Sequence, residues 1–215
     1  MKDLAVNNNK EWFHENKKRY EAHLKKPWYS FVDHMLEKAK SIDDGIDISA
    51  KDAVFRINRD IRFSKDKHPY KDHIAAVIGR GGRKRMDIPG LYVQFSVEKC
   101  MLAGGLYNPD KEQLLSVRRA IMNNYNEVMD ILNDSTFKKT FGELEGERNK
   151  ILPAEFKEEA RDKPLLYLKQ FHFWTTYEDD KILLRDDLDE FLLEHMRIGR
   201  QWNEWLDKVL FNEEA

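Results

Sequence analysis

The chain has 215 residues, of which 41% are hydrophobic and 35% charged, and its formal net charge is −2. A chain of this length and composition buries enough surface to fold without a disulfide or a structural metal, so we expect one domain spanning residues 1–215. The longest uninterrupted apolar run, residues 74–78, has five residues, which is far too short to cross a bilayer and argues against a membrane protein.

Two further features indicate a reducing compartment and an anionic partner. Cys100 is the only cysteine, and the N-terminal residues lack the apolar core of a signal peptide, so we expect a cytoplasmic protein. Residues 51–85 carry eleven Lys/Arg against four Asp/Glu, whereas residues 141–215 carry eleven against nineteen. The basic segment is therefore expected either to bind an anion or to pair with the acidic C-terminal third.

In chain order, the first predicted elements are helices. Asn8, followed three residues later by Glu11, is typical of a helix N-cap, and Pro27 is typical of the first turn of a second helix. The pattern then predicts strands: residues 53–63 alternate between apolar and polar, and residues 73–79 are apolar and β-branched. Residues 91–97 and 100–107 are two further predicted strands, which form a hairpin.

The second half of the chain predicts more helix. Asn108 as N-cap and Pro109 as the first residue predict a long helix, and a shorter one ends at Gly142. A strand is predicted at residues 171–175 and a C-terminal helix at residues 187–211. The expected fold is α+β: a mostly antiparallel central sheet of about four or five strands, packed against N-terminal, central and C-terminal helices.

Residues 55–71 concentrate the residue types that bind anions. As a strand, this segment would direct one set of side chains to the core (Phe55, Ile57, Ile61 and Phe63) and a charged row to the other face (Arg56, Asn58, Asp60 and Arg62). Arginine favours two-pronged binding of carboxylate or phosphate, and a turn with exposed N–H groups can hold an anion. The candidate ligand-binding residues are Arg56, Arg59, Arg62, Ser64, Lys65, Lys67, Tyr70 and Lys71, and the candidate catalytic base is Asp60.

Several other interpretations remain open. The function is predicted to be binding of, or catalysis on, a phosphate-bearing or other anionic small molecule; the alternatives are a nucleic-acid-binding module and a non-catalytic interaction protein. Nucleic-acid binding through the basic loop at residues 79–85 is expected to be weak at most, because the acidic C-terminal third repels a polyanion. We expect no metal site and no cofactor, since the surrounding lysines and arginines repel a cation.

We also predict the environments of several single residues. Cys100 is predicted to be an inert thiol, and His195, on an apolar helix face, a satisfied core histidine. His172 is predicted to project on the same side as Trp174, either lining a pocket or packing a second sheet face. Tyr107, two residues before Pro109, and Tyr70, next to Pro69, are expected near a ligand.

Four motifs together resemble an uncharacterised family, the domain of unknown function 2461. They are NNNKEWFHENKKRYE (residues 7–21), FRINRDIRFSKDKHPYK (55–71), AGGLYNP (103–109), which precedes a long helix carrying Arg118, and FKKTFGELEGE (137–147). The chain departs from the family pattern in a shorter apolar lead-in and at Pro153-Ala154-Glu155-Phe156, where the family tends to have Pro-x-Gly-Phe. The resemblance implies a family but no reaction, ligand or catalytic residue.

Overall fold

Four antiparallel strands form one sheet in the computed structural model, which describes residues 1–178 and 181–211. Neighbours in the sheet are also neighbours along the chain, so the order is β1-β2-β3-β4. This arrangement confirms the α+β expectation and the hairpin of β2 and β3. The strands are β1 (His73–Ile78), β2 (Leu91–Ser96), β3 (Cys100–Leu106) and β4 (Phe171–Tyr177).

Helices precede the sheet, follow β3 and close the chain. The first long helical region is interrupted by a π-helical segment at Glu21–Lys25, and short 3₁₀ turns precede β4. No helix among the described residues is long and apolar enough to span a bilayer. The α-helices are α1 (Lys2–Val6), α2 (Lys10–Tyr20), α3 (Lys26–Ala39), α4 (Ala50–Ala53), α5 (Lys111–Asn123), α6 (Tyr125–Leu132), α7 (Ser135–Phe141) and α8 (Leu188–Phe211).

One face of the sheet packs on helices, and the other is the floor of a cavity. On the packed face, Val93 and Leu102 meet Val32 and Met35 of α3 in the main core, to which α8 also contributes. A second core forms where Phe171 and Phe173 of β4 meet α5, α6, α7 and α8. Because side chains alternate along a strand, the register places a row of opposite-facing residues across all four strands: Val77, Tyr92, Ala103 and Trp174.

Both predicted helix caps are displaced from their true positions. The N-cap of α2 is Asn9, whose side chain accepts the Trp12 N–H at 2.9 Å. Asn8 instead pairs its amide with both polar backbone groups of Tyr70, at 2.9 and 3.0 Å, since an amide offers a donor and an acceptor together.

The cap of α5 is Asp110, two residues after the predicted Asn108. Asp110 accepts the Gln113 N–H at 2.8 Å, and the Gln113 side chain accepts the Asp110 N–H at 2.9 Å. This reciprocal pair satisfies two otherwise orphaned N–H groups and fixes where the helix begins.

The strand predicted at residues 53–63 is wrong. The chain there forms one turn of helix, α4, and then only two isolated bridges, Val54 with Ala76 and Asn58 with Tyr70. The Asp60 carboxylate accepts the N–H two residues later, as does that of Asp66, and such local bonds compete with a strand ladder. Phe63, expected in the core, is 95% exposed.

Candidate functional site

The cavity over the open sheet face, called the sheet cavity here, has a volume of about 520 Å³. This volume lies within the range of small-molecule sites. Its floor is the row Val77, Tyr92, Ala103 and Trp174, whose Cα atoms are register partners on successive strands. The lining residues are Phe55, Val77, Met86, Ile88, Gly90, Tyr92, Lys99, Met101, Ala103, Gly104, Gly105, Tyr107, His172, Trp174 and Thr176.

The lining is mainly aromatic and aliphatic, with few polar groups. Among the described lining residues, Lys99 is the one lysine and none is an acid. Tyr92 donates its hydroxyl to the Gln94 side chain at 2.7 Å. Burial raises the pKa of Tyr92 to about 12, so the hydroxyl keeps its proton near neutral pH. The cavity therefore favours a ligand with an apolar body and a negative or neutral polar group.

His172 lies in the lining, as one of its two sequence interpretations predicted. Its ring meets the Tyr107 ring edge-to-face at 5.4 Å, and its buried Nδ1 has no hydrogen-bond partner among the described residues. Burial lowers the pKa of His172, against an opposing effect of Glu145, so the imidazole is neutral near pH 7. Tyr107 is 55% exposed at the cavity, where a ligand-contacting aromatic was expected.

The glycine pair of β3 shapes one end of the floor. Gly105 has φ +85°, and an added Cβ would overlap the Phe171 carbonyl oxygen of the neighbouring strand. An added Cβ on Gly104 would overlap the Phe173 ring. Gly105 therefore allows the backbones of β3 and β4 to approach closely, and Gly104 leaves room for the Phe173 ring.

The basic segment, residues 55–71, does not place its eight candidate residues in one cleft. Arg59 forms an ion pair with Asp66. Arg62 donates two hydrogen bonds to Asp60, Nε to Oδ1 at 3.0 Å and Nη2 to Oδ2 at 2.6 Å. The Arg62 side chain is 76% exposed. These two arginines thus contact acids of their own segment.

The other members are dispersed. Lys67 donates to the Ile61 carbonyl at 3.0 Å, Lys65 is exposed and Ser64 is half-buried. Tyr70 is buried, with its ring stacked on Phe13 at 4.0 Å, so its ring belongs to a small core.

The surroundings of Asp60 stabilise the ionised form of its carboxylate. Hydrogen bonds from the Arg62 side chain and backbone lower its pKa to about 2, and the charge of Arg56 lowers it further. A general base acts best with a pKa near the working pH, so this environment disfavours Asp60 as a base near neutrality.

Unlike Arg59 and Arg62, Lys71 and Arg56 form no ion pair with a described acid. Lys65 and Lys67 form none either, but both are exposed, whereas Lys71 is half-buried. Burial, and then the nearby charge of Arg56, lower the pKa of Lys71. The Lys71 ammonium lies 5.0 Å from the centre of the Phe55 ring, and Phe55 lines the sheet cavity. Lys71 is thus a half-buried cation beside the cavity wall.

The arginines of the basic loop at residues 79–85 are all occupied within the protein. Arg80 forms ion pairs with Asp43 and Asp207, and Arg83 donates to the Lys51 carbonyl. Arg85 donates hydrogen bonds to the Asp87 carboxylate from two nitrogens, Nε and Nη2. The loop therefore offers a polyanion few available guanidinium groups.

Cys100 and His195 have the environments predicted for them. Cys100 is buried, and burial raises the pKa of its thiol to about 12. His195 donates from Nδ1 to the Phe191 carbonyl at 2.7 Å, and its Nε2 accepts from the Tyr177 hydroxyl at 2.5 Å. Both are therefore structural residues of the core.

Comparison with known proteins settles the family. A family model described as "Conserved hypothetical protein (DUF2461)" matches residues 1–205. The chain belongs to this family. No curated protein and no solved structure matches the chain. Two of the motif segments of this DUF2461 protein meet at the sheet cavity. Phe55 comes from the segment at residues 55–71, and Ala103, Gly104, Gly105 and Tyr107 come from the segment at residues 103–109.

Sequence reasoning missed the sheet cavity as a site. The available signal was the pair His172 and Trp174, which alternation placed on the face opposite Phe171 and Phe173. The glycine pair of the AGGLYNP motif was a second signal, because a glycine inside a strand marks a close approach of backbone or ligand.

Proposed function

We propose that this DUF2461 protein binds a small organic anion in the sheet cavity. One observation carries the proposal: a cavity of about 520 Å³ has an aromatic and aliphatic lining that includes a lysine and, among its described residues, no acid. Most of the binding free energy would come from burying the apolar body of the ligand, and the charge would decide which ligands are accepted.

The floor of the cavity suits a flat or aliphatic body. Ala103 lies between Tyr92 and Trp174 in the register, so a small side chain separates two large rings. A ligand placed over Ala103 would contact both rings, and aromatic faces and edges add about 0.5–1.5 kcal/mol per ring pair beyond buried area.

The cations near the cavity select for negative charge. Lys99 lines the cavity, and Lys71 lies beside its wall at Phe55. A half-buried ammonium without an acid carries a desolvation cost, which a nearby anion reduces. Among the candidate residues of the basic segment, Lys71 is therefore the one that we assign to this ligand.

A matched pair of fluorescent ligands tests the proposal. The anion 8-anilinonaphthalene-1-sulfonate should bind saturably, with one site per chain, and its neutral analogue N-phenyl-1-naphthylamine should bind more weakly. Lys99→Met should weaken binding of the sulfonate about two- to fivefold, as expected for an exposed charge, and leave the neutral analogue unchanged. Lys150→Met, at an exposed site outside the cavity lining, is the control.

A substitution that fills the floor of the sheet cavity distinguishes binding in this cavity from binding elsewhere on the protein surface. Ala103→Phe fills the gap between two rings and should weaken both ligands about tenfold or more, because overlapping atoms cost about 1–3 kcal/mol. Ala154→Phe adds the same ring at an exposed site and should change neither affinity. Equal binding by Ala103→Phe and the unmodified protein would refute the assignment, provided that both give the same near-ultraviolet circular dichroism.

A further inference from the structure

A second cavity lies between the N-terminal helices and residues 54–58. Its volume is about 220 Å³, and Phe55 lines both this cavity and the sheet cavity. The helical part of its wall comes from residues 13–29, so the π-helical segment Glu21–Lys25 lies in the middle of that wall. Single π-helical turns inside α-helices occur frequently at functional sites. We call this space the N-terminal cavity.

The N-terminal cavity has an excess of hydrogen-bond donors. Trp28 is 7% exposed, and its buried indole N–H has no acceptor among the described residues. Arg56, Lys17 and Lys25 also line the cavity and form no ion pair with a described acid. Glu21 is the one acid among the described lining residues. A buried donor without an acceptor is rare in proteins and calls for a partner from outside the chain.

Two tyrosines add further donors. Tyr20 and Tyr29 line the cavity, and burial raises the pKa of Tyr20 to about 12, with smaller contributions from Tyr29 and Glu21. The Tyr20 hydroxyl therefore remains protonated near neutral pH and can donate. Indole, guanidinium and ammonium groups can only donate hydrogen bonds, so the group that satisfies them together is one rich in acceptors.

We propose that the N-terminal cavity binds a phosphoryl group, held by the Arg56 guanidinium and the Trp28 indole N–H, with Lys17 and Lys25 supplying positive charge. Arginine matches the oxygens of a phosphoryl group in two-pronged fashion. A tetrahedral oxyanion offers acceptors in several directions at once, which suits donors that come from two helices and an extended segment. The site goes beyond the sheet cavity, because it uses different residues and binds a different chemical group.

The indole N–H signals of the tryptophans test this site directly. The chain has five tryptophans. Trp28 lines the N-terminal cavity, Trp174 lines the sheet cavity, and Trp202 donates its N–H to the Phe171 carbonyl at 3.1 Å in the core. Their ¹H–¹⁵N resonances are assigned with Trp28→Phe, Trp174→Phe and Trp202→Phe. Inorganic phosphate is then titrated at neutral pH against sodium chloride of equal ionic strength.

The expected result is a saturable shift of the Trp28 signal with phosphate, a much weaker shift with acetate, and no shift with chloride. Trp202 should not respond. Arg56→Gln should weaken the phosphate affinity about tenfold or more, since a hydrogen bond to a charged group contributes at least that much. Lys150→Gln removes one positive charge at an exposed site outside the lining of both cavities and should leave the affinity within about twofold.

Several results would overturn the proposal. These are a Trp28 signal that does not move with phosphate, one that moves equally with chloride, and an Arg56→Gln variant that titrates like the unmodified protein. The sheet cavity is read separately in the same spectra, because an organic anion bound there shifts Trp174. Failure at one cavity is therefore distinguishable from failure at the other.

Discussion

Gly105 offers a direct test of how closely β3 and β4 approach beneath the sheet cavity. Its φ is +85°, and an added Cβ would overlap the Phe171 carbonyl oxygen and lie 2.9 Å from the His172 Cα. Gly142, the C-cap of α7, also has a positive φ, +76°, but an added Cβ there meets no atom within 4 Å. Alanine at the two positions therefore separates backbone strain from steric overlap.

The two substitutions should differ by the cost of the overlap. Each places a non-glycine residue in a sparsely populated backbone region, which costs about 1–3 kcal/mol. Gly105→Ala must in addition push two hydrogen-bonded strands apart, and overpacking of this kind costs about 1–3 kcal/mol. We therefore expect Gly105→Ala to lower the free energy of unfolding by about 2 kcal/mol more than Gly142→Ala does.

Thermal and urea denaturation measure the difference. For a protein of this length, about 2 kcal/mol corresponds to a Tm lower by about 4–8 °C in Gly105→Ala than in Gly142→Ala. The Gly105 N–H also donates to the Asn203 side chain at 3.0 Å, so displacement of β3 should be visible in exchange of that amide. If the two variants unfold at the same temperature, the conclusion that β3 and β4 approach too closely to admit a Cβ at Gly105 is wrong.

Three further outcomes follow from the ionisable groups. Cys100 should react with a thiol reagent only as fast as the protein unfolds, because its thiol is buried and its pKa is about 12. Arg62→Ala should change the free energy of unfolding by no more than about 1 kcal/mol, since its ion pair with Asp60 is exposed to solvent. Burial raises the pKa of Asp207 to about 6 from 3.8, so the native protein holds more protons than the unfolded chain between these values. The free energy of unfolding should therefore lose a contribution as pH rises from about 4 to 6, and urea titrations of Asp207→Asn should lack that contribution.

The fold was largely predictable because its signals are local and strong. Alternation over residues 91–107 gave the hairpin of β2 and β3, and the apolar periodicity near the C-terminus gave α8. The segment at residues 53–63 alternates as well, but its polar face carries Asp60, whose carboxylate accepts the Arg62 backbone N–H. Alternation predicts a strand only where the polar positions do not offer such competing bonds.

The candidate sites were less predictable, because each depends on contacts distant in sequence. The sheet cavity brings Phe55, the β1–β2 loop, β3 and β4 together, and no single segment carries its pattern. The N-terminal cavity depends on Trp28, which in sequence is one of many apolar residues on the inner face of α3. The indole N–H of Trp28 has no partner because the core residues around it supply no acceptor, and this depends on how the chain folds.

Counting charges overestimated the number of arginines in the basic segment that are available to a ligand. The reason is visible in the sequence. An aspartate two residues from an arginine can take a two-pronged pair without help from the fold. Among the described residues this arrangement occurs three times: Arg62 with Asp60, Arg85 with Asp87 and Arg185 with Asp187. Arginines paired in this way contribute little attraction for a ligand, because their charge is already balanced. Arg56 and Lys71 have no such pair among the described residues, and each lies next to Phe55, which lines both cavities. Lys65 and Lys67 also lack an acid, but they are exposed and line neither cavity. The cations that we propose for an anion are therefore those that both lack a local acid and lie beside a cavity.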